Sequence, residues 1–395
     1  MKYAIIIPDG AADVPLDELG GRTPLEAARI PNMDWIASHG KCGSVRNIPE
    51  GMSCGSDVAI LSVVGYDPRK FYTGRAPLEA AAQGLKTAPD EWVFRCNLVT
   101  VIDDVMEDYS AGHISTEEAG AIIDELNRTL AGMHVRFYRG VSYRHLMTLK
   151  GHGEAKTVPP HDILGHKINN YLPSGPGSDM LRTLMDRSRK ILATHEINNI
   201  RRDLGENPAT NIWLWGQGKM PLLPLFADRY GLRVAAITAV DLVRGLAKLI
   251  GWDCIEVPGA TGYVNTNYAG KGAAAVAAMD KYDLVFVHVE APDEAGHNAN
   301  AKDKTEALEQ IDANIVGPVL NRLRAEGQEW RILVLPDHPT PCTVRTHTPE
   351  PVPFAMAGKR VEAVISVPFT EATAAASDLH IPHGCEMMEY FLTVR

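Results

Sequence analysis

Three short apolar runs, rich in β-branched residues, each break off abruptly at acidic or histidine side chains. Tyr3–Ile7 leads into Pro8-Asp9-Gly10, Leu284–Val289 into Glu290-Ala-Pro-Asp293, and Arg331–Leu335 into Pro336-Asp337-His338. Near-continuous apolar runs of this length suit strands buried on both faces, as in a parallel sheet covered by helices. Helical patterns accompany them over Ser115–Leu130, Ala239–Leu249 and Asp303–Arg324. The expected class is α/β, with a mixed or parallel sheet flanked by helices.

Between these halves the pattern changes. Residues from about Gly74 to Asp228 carry scattered Arg and His, a Pro/Gly-rich stretch at Leu172–Gly177 and few strong strand signals. This reads as an inserted smaller α/β domain, residues 74–228, within a core made of residues 1–73 and 229–395. A chain of 395 residues is long enough for both. Its composition, 45% hydrophobic and 22% charged, is that of a soluble globular protein.

A formal net charge of −10 argues against a nucleic-acid partner held by a generally basic surface. It leaves room for a small anionic substrate held by a local Arg cluster. The six cysteines (Cys42, Cys54, Cys96, Cys254, Cys342, Cys385) are scattered and contain no C-x-x-C pair. That is neither a disulfide framework nor a thiolate zinc site, and it fits a reducing cytosol. The opening apolar run is too short for the core of a secretion signal. No stretch approaches the roughly 18 apolar residues of a membrane span. A cytoplasmic location with no membrane partner is expected.

In open α/β sheets, ligands bind beyond the carboxyl ends of the strands. Asp9 follows the first run. Asp293 and His297 follow the second, four residues apart, so one helical turn would put both on one face. Asp337 and His338 follow the third, and His347 comes soon after. Taken singly, an Asp after a strand is commonly a cap or turn residue, and a D-x-x-x-H pair a solvated helix face. Their joint placement at the ends of separate strands points instead to a ligand set for two divalent cations. Two such ions about 3.5–4 Å apart can clamp the attacking and leaving oxygens of a phosphoryl transfer.

A nucleophile candidate stands in Pro49-Glu-Gly51-Met-Ser-Cys-Gly55-Ser56-Asp57-Val58-Ala59. Ser56 precedes a helix-like run over Val58–Gly65, where free N–H groups and the helix dipole favour a phosphate. A metal-bound serine alkoxide there could attack phosphorus. The competing reading is that Ser56 or Asp57 merely caps that helix. Ser53 is the other nearby hydroxyl and is less well placed.

Together, Asp9-Gly10, Gly55-Ser56-Asp57-Val58-Ala59 with Gly65-Tyr66-Asp67-Pro68, Asp293-x-x-x-His297, Asp337-His338 and His347 resemble one family nearly end to end. It is the archaeal-type, 2,3-bisphosphoglycerate-independent phosphoglycerate mutases of the alkaline-phosphatase superfamily. The resemblance implies an alkaline-phosphatase-like core and a phosphorylated nucleophile at Ser56. It also implies one metal on Asp293, His297 and His347, and another on Asp9, Ser56, Asp337 and His338. Mn²⁺ is the first expectation for both, with Zn²⁺ or Mg²⁺ as alternatives and no 2,3-bisphosphoglycerate as cofactor. Ser56 would take the phosphoryl group from 3-phosphoglycerate, the glycerate would reorient, and the group would return to the 2-hydroxyl.

The middle domain is then expected to hold the glycerate carboxylate and phosphate, a task suited to Arg forks. His113 in Ser110-Ala-Gly-His113-Ile-Ser and Arg144 in Val141-Ser-Tyr-Arg144-His145 resemble the family's substrate-side segments. Arg75, the tandem pair Arg201 and Arg202, and Lys271 are further substrate-binding candidates. Any one of these Arg residues could instead be a solvated or structural ion pair.

Ile212-Trp-Leu-Trp215-Gly-Gln-Gly218 and Ser142-Tyr-Arg-His145 look closest to a bacterial branch that has also been proposed as homoserine kinases. Against a kinase, no G-x-x-x-x-G-K-[ST] loop is present, since Gly262 to Lys271 has the wrong spacing. A metal-dependent phosphatase is the third reading. The large middle segment favours an enclosing lid that keeps water out, and so transfer over hydrolysis. A non-enzymatic binding protein gives no reason for so many metal ligands beside a serine.

Overall fold

The computed structural model describes residues 1–151, 153–325, 327–363 and 366–394. The chain divides into two compact units, Met1–Tyr72 with Leu222–Arg395, and Thr73–Pro221. The helix Phe226–Tyr230 therefore belongs to the larger unit. Among the described residues no helix is long and apolar enough to cross a membrane.

The larger unit is built on an eight-stranded sheet. Its order is His380–Ile381, Lys41–Val45, Val352–Gly358, Trp330–Val334, Lys2–Pro8, Leu284–Val289, Val234–Ile237 and Asp253–Cys254. Only Val352–Gly358 runs against the others. The central strands are buried on both faces, with Ala4, Ile5, Ile6 and Ile7 at most 1% exposed, which is why their sequences do not alternate. Helices such as Pro31–Ser38, Tyr268–Ala278 and Ala301–Ile311 contribute Met33, Ile36, Ala275, Leu308 and Ile311 to the core on one face. The helical pattern read over Asp303–Arg324 is one continuous rod interrupted by a wider π turn at Asp312–Val316.

The three strands that end in acidic residues are adjacent, with Lys2–Pro8 lying between Leu284–Val289 and Trp330–Val334. All three point the same way, so their carboxyl ends open onto one rim. Fold topology alone brings Asp9, Glu290 and the Asp337 turn together.

A half-buried carboxyl ties this rim to the far end of the chain. Glu371, opening the helix Glu371–Ala376, accepts the Asp13 N–H at 3.1 Å and the Thr23 hydroxyl at 2.7 Å. Burial pushes its carboxyl up to about 7. A carboxyl held above its unfolded pKa binds more protons when folded than when unfolded. Its stabilising contribution is therefore whole below about 4.5 and is lost as pH rises through about 7. Glu371→Gln is expected to flatten that decline. Denaturation midpoints of the two proteins at pH 5 and pH 8 check this, and parallel pH curves would refute it.

The smaller unit holds an antiparallel five-stranded sheet. The long strand Glu91–Ile102 pairs with Arg144–Lys150, Asn211–Gly218 and Val105–Asp108, and Val135–Val141 adds to Arg144–Lys150. Helices Thr116–Leu130 and Ser178–Ala193 supply Ile122, Leu126, Leu181 and Leu184 to its core. Ser115 begins the first of these with a capping box to Glu118. Against Val93 and Leu146 packs the helix Arg75–Ala82 through Ala76 and Ala80. The strands are stronger than the sequence suggested. Glu91–Ile102 conceals its period because polar Arg95 and Asn97 are buried along with its apolar residues. The two ends of this unit lie side by side, with the Thr73 hydroxyl donating to the Lys219 carbonyl.

Candidate metal centre and nucleophile

Asp9 sits directly beyond Lys2–Pro8 and is fully buried. The next residue, Gly10, turns with φ +61°, and its N–H donates to Asp337 Oδ1 at 3.1 Å. A Cβ there would lie 2.5 Å from Thr340 Oγ1 and 2.6 Å from Asp293 Oδ1, so the close approach of the two rim segments requires glycine. Asp293 and His297 are one turn apart on the helix Ala291–His297, with His297 Nε2 3.2 Å from Asp293 Oδ2. His347 Nε2 lies 3.3 Å from Asp293 Oδ1 and 2.9 Å from His297 Nε2. His338 Nε2 is 3.2 Å from Asp337 Oδ2 and 3.6 Å from Asp9 Oδ1.

Ser56 opens the helix Ser56–Val63, after Gly55 in extended backbone. The cap position is Gly55, which has no side chain to offer. Asp57 instead accepts its neighbour's Val58 N–H and the Tyr72 hydroxyl. The Ser56 hydroxyl is free of capping duty and stands 3.1 Å from His338 Nε2. Asp9, Ser56, Asp293, His297, Asp337, His338 and His347 are thus brought into one cluster.

The electrostatics of the cluster are those of crowded donors. Burial, and then the negative charges of Asp337, Glu290 and Asp293, hold the Asp9 carboxyl well above the usual carboxylate range. Burial acts the same way on Asp293, but bonds to His297 and His347 outweigh it and hold Asp293 well below that range. The bond to Asp293 lifts His297 to about 9. His347 is raised too, Asp293 overcoming the effect of burial. Burial lowers His338.

Asp9 Oδ1 and Asp337 Oδ2 are buried carboxylate oxygens without a hydrogen-bond partner among the described residues. Such atoms are costly unless something positive meets them. The donor atoms of Asp293, His297 and His347 lie within 4.8 Å of one another, and so do those of Asp9, Asp293 and His338. Imidazole and carboxylate donors in this arrangement fit divalent cations.

Sequence reasoning missed the layer behind these donors. His288, fully buried in Leu284–Val289, has Nε2 2.7 Å from Asp9 Oδ2 and Nδ1 3.1 Å from the Thr238 hydroxyl. Burial drives its pKa down to about 3, so the ring is neutral. A lone histidine inside an otherwise apolar strand was the available signal. Asp9, His288 and Glu290 form a third set of donors within 4.8 Å. Lys271, a substrate candidate, is also internal to this layer. Its Nζ donates to the His288 carbonyl at 3.2 Å, and burial, opposed by Glu290, lowers it to about 8.

In the smaller unit, Arg75 and Arg95 share one carboxylate, with Nε atoms 3.1 and 3.0 Å from Glu79 Oε1 and Oε2. Their charges and that of Arg144 hold Glu79 below the usual range in spite of burial. Arg95, which the sequence did not single out, is buried and lies 4.2 Å from the centre of the Trp215 ring. Arg144 is exposed beside Tyr143. His113 is exposed at the end of three successive left-handed residues, Ala111, Gly112 and His113.

The tandem arginines part company. Arg201 is 3% exposed and bonds Glu118, Glu206 and the carbonyls of Ala111, Gly112 and Asn207, which pins the His113 turn from behind. Arg202 is exposed and bonds Asn199 and the Ala193 carbonyl.

A family model described as 2,3-bisphosphoglycerate-independent phosphoglycerate mutase matches residues 37–198. A protein of Methanothrix thermoacetophila with that name is 49% identical over 99% of this chain and 100% of its own length. One from Geobacter sulfurreducens, named as a probable mutase of the same kind, is 46% identical over 99% of this chain and 100% of its own. Among solved structures, the PH0037 protein from Pyrococcus horikoshii is similar at a TM-score of 0.83 and 30% identity, covering 99% of this chain and 96% of that one.

Proposed function

Because the chain belongs to the 2,3-bisphosphoglycerate-independent phosphoglycerate mutases, we propose that it interconverts 3-phosphoglycerate and 2-phosphoglycerate through a phosphoserine on Ser56. The observation that carries this reading is the 3.1 Å approach of an uncapped serine hydroxyl to the histidine–carboxylate cluster. Asp293, His297 and His347 would hold one divalent ion, and Asp9, Ser56, Asp337 and His338 the other, with Mn²⁺ the ion proposed. When bound, such ions lower the pKa of a ligating hydroxyl and offset charge on the transferring oxygens.

The Oγ–P bond forms as the bond from phosphorus to the 3-oxygen breaks, and the 3-oxygen keeps the electron pair and takes up the proton that the Ser56 hydroxyl gives up. In the second half the 2-hydroxyl oxygen attacks phosphorus and gives up its proton, and Ser56 Oγ departs with the electron pair and is reprotonated. Because Ser56 carries the group between the two, no bisphosphoglycerate need be supplied. The helix N-terminus at Ser56 offers backbone N–H groups to the phosphoryl oxygens. Mutase names on these relatives favour this reading over the homoserine kinase and the phosphatase.

The glycerate carboxylate is assigned to the guanidinium cluster of the smaller unit, where Arg75 and Arg95 pair with the single carboxylate of Glu79 and Arg144 adds a third positive charge. Arg144 is its exposed member. A hydrogen bond to a charged group contributes about 1.5–3 kcal/mol, so Arg144→Met should raise KM for 3-phosphoglycerate roughly 10- to 100-fold. Its exposure predicts an unchanged Tm. Steady-state kinetics in both directions test this, and a KM within twofold of wild type would remove Arg144 from the substrate site. The proposal as a whole is tested by assaying purified protein with Mn²⁺ and each phosphoglycerate, with no bisphosphoglycerate added. ATP-dependent phosphorylation of homoserine without mutase turnover would overturn it.

A further inference from the structure

We propose that Thr340 is a positioning residue that couples the two groups of metal ligands, setting both the orientation of Asp293 and the tautomer of His338. The inference rests on the metal-centre reading above. Thr340 is fully buried, and its Oγ1 lies 2.5 Å from Asp293 Oδ1 and 3.3 Å from His338 Nδ1. An ionised carboxylate only accepts, so the Thr340 proton points to Asp293. The oxygen of Thr340 is then left as an acceptor for His338 Nδ1, which also faces the Pro339 carbonyl at 3.3 Å. Both partners of Nδ1 accept, so a cation on Nε2, which would displace any proton shared there with Asp9 or Asp337, leaves the ring proton on Nδ1. His338 Nε2 consequently presents its lone pair toward Ser56, Asp9 and Asp337, the form that a metal ligand needs.

Thr340 can do this because its backbone is fixed by groups that touch no ligand. Its N–H donates to the Ala12 carbonyl at 3.2 Å, and its carbonyl accepts from Lys304 Nζ at 2.8 Å. Lys304 is fully buried and paired with Asp13 Oδ2 at 2.8 Å, and Asp13 also accepts the Cys342 N–H at 3.1 Å. On the other side the helix of Asp293 packs so closely that a Cβ on Gly296 would fall 2.3 Å from the Thr340 carbonyl oxygen. The buried Lys304–Asp13 pair therefore holds an irregular segment in register, and a β-branched side chain with a stiff χ1 delivers the hydroxyl.

The test compares Mn²⁺ binding to wild type, Thr340→Val and Thr340→Ser by titration calorimetry on the full chain. Thr340→Val keeps the shape and removes the hydroxyl, and it is expected to weaken binding 10- to 100-fold, the usual loss for such a partner. Thr340→Ser should restore affinity to within a few-fold. Wild-type affinity in the valine variant overturns the proposal. A wild-type protein that binds no divalent ion would instead sink the metal-centre reading itself. ¹⁵N NMR of His338 in wild type loaded with diamagnetic Zn²⁺ gives an arm that needs no variant to fold. An Nδ1–H ring sustains the proposal, and an Nε2–H ring refutes it.

Discussion

Ser56→Ala should lower kcat for phosphoglycerate interconversion by a factor on the order of 10⁵ to 10⁶, the scale of losing a covalent nucleophile whose partners act as a unit. The fold should not suffer. The Ser56 side chain makes no capping bond, so its removal leaves no orphaned helix donor behind. The comparison to make is kcat together with Tm. Residual activity within tenfold of wild type would exclude the phosphoserine route, and a collapse of Tm would mean that the serine had a structural task the geometry does not show. Incubation with substrate labelled on phosphorus should mark wild type and leave the variant unlabelled.

Removal of divalent ions should have an equally complete effect, and stability should report it as well as activity. Without cations, Asp9, Asp293, Asp337 and Glu290 crowd one rim, and Asp9 Oδ1 and Asp337 Oδ2 find no hydrogen-bond partner among the described residues. Binding to the folded state alone adds RT ln(1 + [L]/Kd), about 4 kcal/mol at a thousandfold excess over Kd. Dialysis against EDTA should abolish turnover and lower Tm, and Mn²⁺ should restore both. Full activity in protein shown to be metal-free by elemental analysis would end the metal-dependent reading.

What was legible in the sequence follows from what each residue does. The central strands announced themselves because they are covered on both faces, and a doubly buried strand leaves an unbroken apolar run. Asp9, Asp293, Asp337 and His338 stood out as candidate ligands because they follow closely where such runs stop, while Ser56 and His347 were read from the motifs around them. Thr340, Lys304 and Asp13 left no trace of that kind. A buried lysine reads as a surface residue until its partner Asp13 is seen beside it, 291 positions away. Arg95 and Asn97 went unread for a related reason. Their burial depends on Glu79 and Trp215, which come from other elements, so no local pattern marks them. Arg201 shows the converse. It stood out as one of a basic pair, yet its guanidinium is spent on internal carbonyls and carboxylates.

The adjacency of Thr73 and Lys219 has a practical meaning. An insertion whose ends touch asks its host for little more closure entropy than a short turn would. The smaller unit can therefore be treated as a cassette: residues 73–221 could be expressed alone, or replaced by the corresponding piece of a relative, with the host strands spliced by a few residues. Such a graft would leave the residues of the rim at Asp9 and Asp337 unchanged in sequence.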